Sequence, residues 1–398
     1  MMQNRLLYWL RRTKPGTPAL VLPGGETWSY ADMAARPGCA GLHLLTGSAS
    51  TLALGMIDCA LGGGTAMLLP PSWPVEALAT QIEQARAHPS LALILTTSGS
   101  TGEPKAVCLS WRAVAAAARF AHRNMDLHRG DAWLACMPLA FAGGAMILYR
   151  VWRAGATAII HDGFSIDTIA RDFAQRQITH ISLTPAMLAQ LVDATVPPPP
   201  TLRCALIGGA ALSTSLAERA RAAGWPLRLS YGMTETCATA LIDGHPLPGV
   251  RVRIHSTGVL EIATPARMAG YLDGTGRHDW FTTSDLAAID AEGCVNILGR
   301  ADDMLISGGV NVHPIAVEAR LSACPGLHES AVTGLPHPVW GDIIACIYEG
   351  DADASSVEHW CRAALPSTHR PRRFLRVPQL PRLASGKLDR QALPKLWS

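Results

Sequence analysis

The stretch Thr96–Lys105 reads TTSGSTGEPK and follows directly on the apolar run Leu91–Leu95. A strand ending there delivers a donor-rich loop, and such a loop suits phosphate oxygens. Gly99 and Gly102 let backbone amides turn toward an anion, Thr97, Ser98, Ser100 and Thr101 add hydroxyl donors, and Lys105 adds a compact positive charge. It is not a Walker A loop, because Pro104 precedes the lysine and Ala106 follows it where GK[ST] is required. A solvent-exposed Ser/Gly turn is the competing reading.

Four later stretches carry further chemistry. Tyr231-Gly232-Met233-Thr234-Glu235-Thr236 sets a hydroxyl beside a carboxylate at a turn, which suits a divalent cation shared with phosphates; the alternative is a helix N-terminus capped by Thr234. Phe281–Asp285 places an acid where a sugar diol could be gripped, or forms an ordinary Ser-Asp turn. Gly299–Asp303 followed by Ile306–Gly309 gives an arginine, paired acids and a Gly-Gly, fitting a site or a linker. Pro381–Arg390 presents Lys387 on a glycine turn, which by itself is an exposed loop.

The elements that must position these groups alternate. Residues 17–70 predict a short strand, a helix over Tyr30–Leu45, then a second helix and a strand ending at Leu69-Pro70. Val75–Ala87 has helical spacing, Leu91–Leu95 reads as a buried strand, Ser110–Arg123 as a helix with Trp111 and Phe120 inward, and Ala132–Leu139 as a strand. Helices over Ile166–Gln175, Ala186–Asp193 and Ser213–Ala223 alternate with strands over Ile178–Leu183, Leu202–Ile207 and Leu227–Ser230; the Pro197–Pro200 run is a stiff surface connection. Strands alternating with helices, with glycine loops at strand C-terminal ends, predict an α/β fold of mixed or parallel sheets binding ligand at those ends.

From Val250 to Leu298 the texture changes to short strands (Val250–Ile254, Val259–Ala263, Ala287–Asp290, Val295–Ile297), a small β subdomain. Beyond Gly299, helices over Val317–Leu321 and Val357–Ala364 and strands over Glu329–Leu335 and Ile343–Glu349 predict a separate α+β unit. The expected division is therefore a large domain, 1–301, abbreviated before residue 90, and a small domain, 302–398.

The 398 residues are 48% hydrophobic and 16% charged with a net charge of +3, which excludes disorder and gives no basic surface for nucleic acid or an anionic membrane. A small-molecule partner follows. Ten cysteines lie scattered without C-x-x-C or metal spacing, as core residues of a cytoplasmic protein do. The N-terminus has only five apolar residues between charges, and the apolar window Thr51–Pro70 carries Asp58 and a glycine triplet, so neither an export signal nor a membrane span is expected.

Taken in order, TSGSTGEPK, GGAAL, YGMTET, TSD, GRADDMLISGGVNVHP and SGKLDR resemble the adenylate-forming superfamily of acyl-CoA synthetases, adenylation domains and luciferases, over residues 97 to 390. That resemblance implies a loop, Thr97–Lys105, holding ATP phosphates, with Ser98, Ser100 and Thr101 as donors. It implies that Gly209, Ala210, Ala211, Tyr231 and Gly232 flank adenine, that Thr234 touches the α-phosphate and that Glu235 holds Mg2+. Asp285 and Arg300 would bind the ribose, and Asp302 would be a hinge. Lys387 would meet the carboxylate and α-phosphate in the first half-reaction, and the loop with Ser307, Gly308 and Gly309 would swing in for the thiol step.

Within the superfamily the chain is most similar to the compact o-succinylbenzoate–CoA ligases. The implied activity is ATP-dependent conversion of an aromatic or acyl carboxylate to an acyl adenylate, then a thioester with CoA. Loading of a carrier protein's phosphopantetheine is the alternative, since Phe141 stands where many CoA ligases carry histidine and Val310 replaces an acid. An ATP-binding protein without turnover is the alternative of another class. A homodimer is compatible with the abbreviated N-terminal part. Acyl-pocket candidates are Phe141, Gly143 and Met233, within Phe141–Met146 and Met233–Ala238, and these small or apolar residues supply no cation for a second carboxylate.

Overall fold

The computed structural model describes residues 5–70, 79–86, 91–98, 104–383 and 386–397. The chain divides into two compact units. The first comprises Met1–Gly209, Ala220–Arg251 and Ile262–Phe281, the second Ala210–Arg219, Val252–Glu261 and Thr282–Ser398.

The strands run in chain order as β1 (Pro18–Val21), β2 (Thr27–Ser29), β3 (Leu42–Leu45), β4 (Thr65–Leu68), β5 (Leu91–Ser98) and β6 (Pro104–Ser110). Next come β7 (Ala132–Ala135), β8 (Thr157–Ile160), β9 (His180–Leu183), β10 (Cys204–Ile207), β11 (Leu227–Tyr231), β12 (Leu241–Ile242) and β13 (His245–Pro246). Then follow β14 (Arg251–Ile254), β15 (Val259–Ala263), β16 (Gly270–Tyr271), β17 (Phe281–Ile289) and β18 (Val295–Arg300). The chain ends with β19 (Leu305–Ser307), β20 (Val310–Val312), β21 (Leu327–His337), β22 (Gly341–Gly350) and β23 (Arg373–Arg376).

The first unit holds a sheet ordered β13-β12-β11-β10-β9-β7-β8-β1-β2 and another ordered β16-β6-β5-β4-β3. The centre of the larger sheet, from β11 through β10, β9, β7 and β8 to β1, is parallel; its edges are antiparallel. Strands β9 and β10 are buried at every position, as parallel strands covered on both faces must be. In the smaller sheet β3, β4 and β5 are parallel, while β6 and β16 run antiparallel. This is the mixed α/β architecture that the alternation predicts.

The second unit contains a sheet ordered β14-β15-β17-β18 and another ordered β20-β19-β22-β21, with β23 added beside β22. The latter sheet packs on helices Pro314–Leu321 and Ala354–Ala364 through Val317, Leu321, Val332, Ile344, Tyr348, Val357 and Cys361. Residues 302–398 belong wholly to this unit, together with 282–301 and two shorter stretches. Among the described residues no helix is long and apolar enough to cross a membrane, and all ten cysteines are free thiols.

Several local expectations are corrected. The helix over Tyr30–Leu45 stops at Ala34 and gives way to β3, because Pro37 bars helix and Gly38 and Gly41 take φ of +68° and +83°. The strand over Ala132–Leu139 ends at Ala135. Helix Ala142–Ala154, β6 and β8 have no counterpart in the sequence reading. Gly143 and Gly144 disguise that helix. A Cβ on Gly144 would lie 2.4 Å from the Pro138 carbonyl oxygen, so the glycine permits a close backbone approach rather than breaking the helix. Phe281–Asp285 is not a turn but the first half of β17, and Ile306–Gly309 is one arm and the turn of the β19–β20 hairpin. The first part of the helix expected at Val75–Ala87 lies outside the described residues, whose helix is Ala79–Arg86.

Candidate active site

In the first unit, β5 and β6 form the two arms of the expected phosphate loop. Thr97 pairs with Lys105 in register, and its Oγ1 donates to the Lys105 carbonyl at 3.4 Å. The tip, with Gly99, Ser100, Thr101 and Gly102, lies outside the described residues, as does the side chain of Ser98. The Lys105 ammonium sits 5.4 Å from the centroid of the Tyr271 ring, a cation–π distance.

Glu235 lies in a single 3-10 turn, Thr234–Thr236, immediately after β11. Met233, not Thr234, occupies the capping position, and its amide donates to Thr236 Oγ1 at 3.1 Å. The chain then winds back tightly. Cys237 and Ala238 take φ of +54° and +79°, Ala238 N donates to Met233 O at 3.0 Å, and Ala240 N donates to Tyr231 O at 2.9 Å. Gly232 makes the wind possible, since a Cβ there would lie 1.9 Å from the Ala238 carbonyl oxygen. Glu235 is half-buried and fixed twice: its carbonyl accepts from Met268 N at 2.8 Å, and its Oε1 accepts from the Tyr271 hydroxyl at 2.9 Å.

Behind this turn stands a residue that the sequence reading misses. Arg150, two turns into helix Ala142–Ala154, is 2% exposed, and its Nη2 donates to Thr239 Oγ1 at 2.9 Å. Thr239 Oγ1 lies 3.0 Å from Ser230 Oγ. The guanidinium also lies 5.8 Å from the Trp133 ring, its Nε has no hydrogen-bond partner, and no carboxylate pairs with it among the described residues. Burial pushes its pKa down to about 10, so it remains a cation at neutral pH. Gly143 lies seven residues before Arg150, on the same helix face and about 10 Å along the axis. Phe141 is the helix N-cap, and Phe141 and Gly143 are both half-buried. Gly209, at φ +86°, ends the turn after β10 and is exposed.

In the second unit, Asp285 on β17 pairs in register with Arg300 on β18. Arg300 turns its fork onto Asp302, and that hydrogen-bonded carboxylate raises the pKa of the guanidinium. Asp303 is drawn to Arg390 at 3.3 Å, and Arg390 also grips Glu318 with two nitrogens at 2.8 and 2.9 Å. Ser307 pairs with Val310 across Gly308 and Gly309, which take φ of +57° and +77°. Gly308 N donates to Trp340 O at 2.9 Å, and a Cβ on Gly308 would lie 2.8 Å from the Trp340 ring. Lys387 is exposed on the turn after Gly386, where Leu383 N donates to the Lys387 carbonyl at 2.8 Å and Arg382 Nη1 donates to Gly386 O at 3.2 Å. Ala210 and Ala211 are exposed.

Thus the first unit joins Lys105, Tyr271, Glu235 and the Tyr231–Ala240 wind into one cluster, and the second joins Asp285, Arg300 and Asp302. The missed Arg150 and Tyr271 carry no local motif. Only the long arginine amid an apolar helix hinted at the first.

Residues 67–272 match the AMP-binding enzyme family, and residues 316–387 match the AMP-binding enzyme C-terminal domain. The chain is 32% identical over 334 residues to the 2-succinylbenzoate–CoA ligase of Bacillus velezensis, covering 77% of this chain and 69% of that one. To the Staphylococcus aureus ligase of the same name it is 33% identical over 327 residues, covering 76% and 66%. Its fold superposes on the o-succinylbenzoate CoA synthetase of Bacillus subtilis in complex with its acyl-adenylate intermediate with a TM-score of 0.84, at 24% identity over 98% of this chain and 97% of that one. ATP-bound MatB of Rhodopseudomonas palustris gives a TM-score of 0.88 at 23% identity, over 100% and 99%. This chain therefore belongs to the AMP-binding enzyme family and is an adenylate-forming acid–thiol ligase.

Proposed function

We propose that the enzyme activates 2-succinylbenzoate, or an aryl dicarboxylic acid of similar length, as its acyl adenylate and then transfers the acyl group to coenzyme A. The observation that carries this reading is Arg150. A buried guanidinium without a carboxylate partner is costly unless an anion meets it, and a substrate with two carboxylates brings one to spare. Gly143 and Arg150 lie about 10 Å apart along one helix face, a spacing comparable to the length of an aryl dicarboxylate. The named relatives act on an acid of this type.

In the first half-reaction a carboxylate oxygen attacks the α-phosphorus, the new O–P bond forms, and the bond to pyrophosphate breaks. Two anions converge, so positive charge lowers the barrier. Thr97, Ser98, Ser100, Thr101 and Lys105 hold the phosphates, Thr234 donates to the α-phosphate, and Lys387 supplies charge at the reacting oxygens. Asp285 and Arg300 take the ribose hydroxyls. Among the described residues no three His, Cys, Asp or Glu gather as a metal site, so a divalent ion would rest on Glu235 and phosphate oxygens, an all-oxygen set that fits magnesium. Bound there, magnesium would supply charge against the phosphates. In the second half-reaction a thiol attacks the acyl carbon and AMP leaves. Asp302 is the hinge about which residues 303–398 turn, and Ser307–Gly309 serve the thiol side. Free cysteines fit a cytoplasmic setting.

The deciding experiment is ATP–pyrophosphate exchange over aryl, acyl and amino acids, followed by thioester assay with CoA or with holo carrier proteins. Exchange with 2-succinylbenzoate and thioester with CoA is expected. Exchange with monocarboxylates alone would sink the substrate, and product with carriers alone would sink the acceptor. Phe141, in place of the usual histidine, is the observation that keeps the carrier reading worth testing.

A further inference from the structure

Tyr271 lies between the motifs quoted above, within the stretch that matches the AMP-binding enzyme family, and it connects two of those motifs. Its backbone is held rigidly. In the two-residue strand β16, Gly270 pairs with Cys108 and Tyr271 with Val107 on β6. Tyr271 N donates to Thr275 O at 3.0 Å, and Gly274 N donates to Tyr271 O at 3.0 Å, closing a turn that Asp273 braces by accepting from Thr275 N at 2.8 Å. Gly276, at φ +77°, leaves room for the ring: a Cβ there would lie 3.1 Å from Tyr271 Cδ2. The ring is thus aimed by the sheet and the turn, not by its own hydrogen bond.

From that fixed position the ring touches one group on each side. Its hydroxyl donates to Glu235 Oε1 at 2.9 Å, and the Lys105 ammonium lies 5.4 Å from its centroid. No described side chain or amide donates to Glu235 Oε2. We propose that Tyr271 is a positioning residue for the divalent cation: its hydroxyl occupies one oxygen of Glu235 and thereby presents the other to the ion. A cation over the ring face draws electron density from the phenol and makes its O–H a stronger donor, so Lys105 reinforces the same bond. Outer hydrogen bonds of this kind set the orientation of a metal-binding carboxylate, and their loss typically weakens metal binding about 10–100-fold.

The inference rests on Glu235 as the cation ligand, and the experiment separates the two claims. Binding of ATP is measured by calorimetry at increasing magnesium, and again in EDTA, for the wild type, Tyr271→Phe and Glu235→Gln. Phenylalanine keeps the ring and its packing. Tyr271→Phe is expected to raise the magnesium needed for half-maximal tight binding about 10-fold or more, with ATP binding in EDTA unchanged. Tyr271→Met, which removes ring and hydroxyl together, is expected to do at least as much, and it stands in if the phenylalanine variant does not fold. An unshifted magnesium dependence in Tyr271→Phe beside a shifted one in Glu235→Gln overturns the role of Tyr271 and leaves Glu235 standing. No shift in either variant overturns Glu235 as the ligand. Weaker binding of ATP in EDTA overturns the proposal too, since it would make the tyrosine a nucleotide contact rather than a positioning group.

Discussion

Arg300 holds Asp302, two residues further on, with a two-pronged ion pair: Nε reaches Oδ1 at 2.8 Å and Nη2 reaches Oδ2 at 2.5 Å. Asp285, its partner across the sheet, stays 4.0 Å from Nη1. The arginine assigned to ribose and the aspartate assigned to the hinge are therefore one electrostatic unit. Both side chains are about one-third exposed (39% and 33%), so water screens the pair and its direct worth to stability is small, about 0.2–1 kcal/mol.

On the proposed ribose role, the fork of Arg300 matters more than its pairing with Asp302. Arg300→Lys keeps the charge but loses the fork, and is expected to raise KM for ATP about 10-fold with little change in Tm. Asp302→Asn is expected to change that KM less than about 3-fold. Pyrophosphate exchange against ATP concentration measures both.

Lys387 sits on an exposed turn closed by Leu383 N on the Lys387 carbonyl and by Arg382 on Gly386. Lys387→Ala is expected to slow adenylate formation about 100-fold or more while thioester formation from supplied acyl adenylate continues. Equal loss in both steps would refute its assignment to the first half-reaction.

Arg150→Met replaces a buried, unpaired cation with an apolar side chain of similar length. Stability is expected to hold or rise, while kcat/KM for 2-succinylbenzoate falls about 100-fold and the residual rate with benzoate does not. The pH dependence follows from burial. The folded guanidinium, pushed down to about 10, lies below its unfolded value, so above that pH the unfolded chain binds more protons and stability rises. The penalty of Arg150 is full below about pH 10 and shrinks above it. The Tm gap between variant and wild type should narrow as pH climbs through that value.

Gly232→Ala drives a Cβ onto backbone, 1.9 Å from Ala238 O and 2.9 Å from Ala240 N. The wind around Glu235 must open. Exchange activity is expected to fall at least about 100-fold, and circular dichroism to report a lower Tm.

How much of this was readable in advance depends on how far apart the partners lie. The phosphate loop, YGMTET and SGKLDR concentrate their donors within ten residues or fewer, so composition alone points at them. The parallel alternation from Ile166 to Tyr231 was legible for the same reason: uninterrupted apolar strands and amphipathic helices announce themselves. The pairings Arg150 with Thr239 and Tyr271 with Glu235 span 89 and 36 residues and exist only through sheet order. Gly143 and Gly144, which serve packing, mask helix Ala142–Ala154 in the sequence, and the apolar residues on both sides of Pro37 mimic one continuous helix over Tyr30–Leu45.

The paired left-handed residues Cys237 and Ala238 have an implication for engineering. Each non-glycine residue at such φ costs about 1 kcal/mol or more; glycine would relieve that cost at Ala238, whereas at the fully buried Cys237 it would trade it for a cavity. Glycine at Ala238 keeps the backbone hydrogen bonds of the wind that aims Glu235. A search for thermotolerant variants that scores only melting temperature would therefore accept glycine at Ala238 and reject it at Cys237, although the two share one backbone conformation.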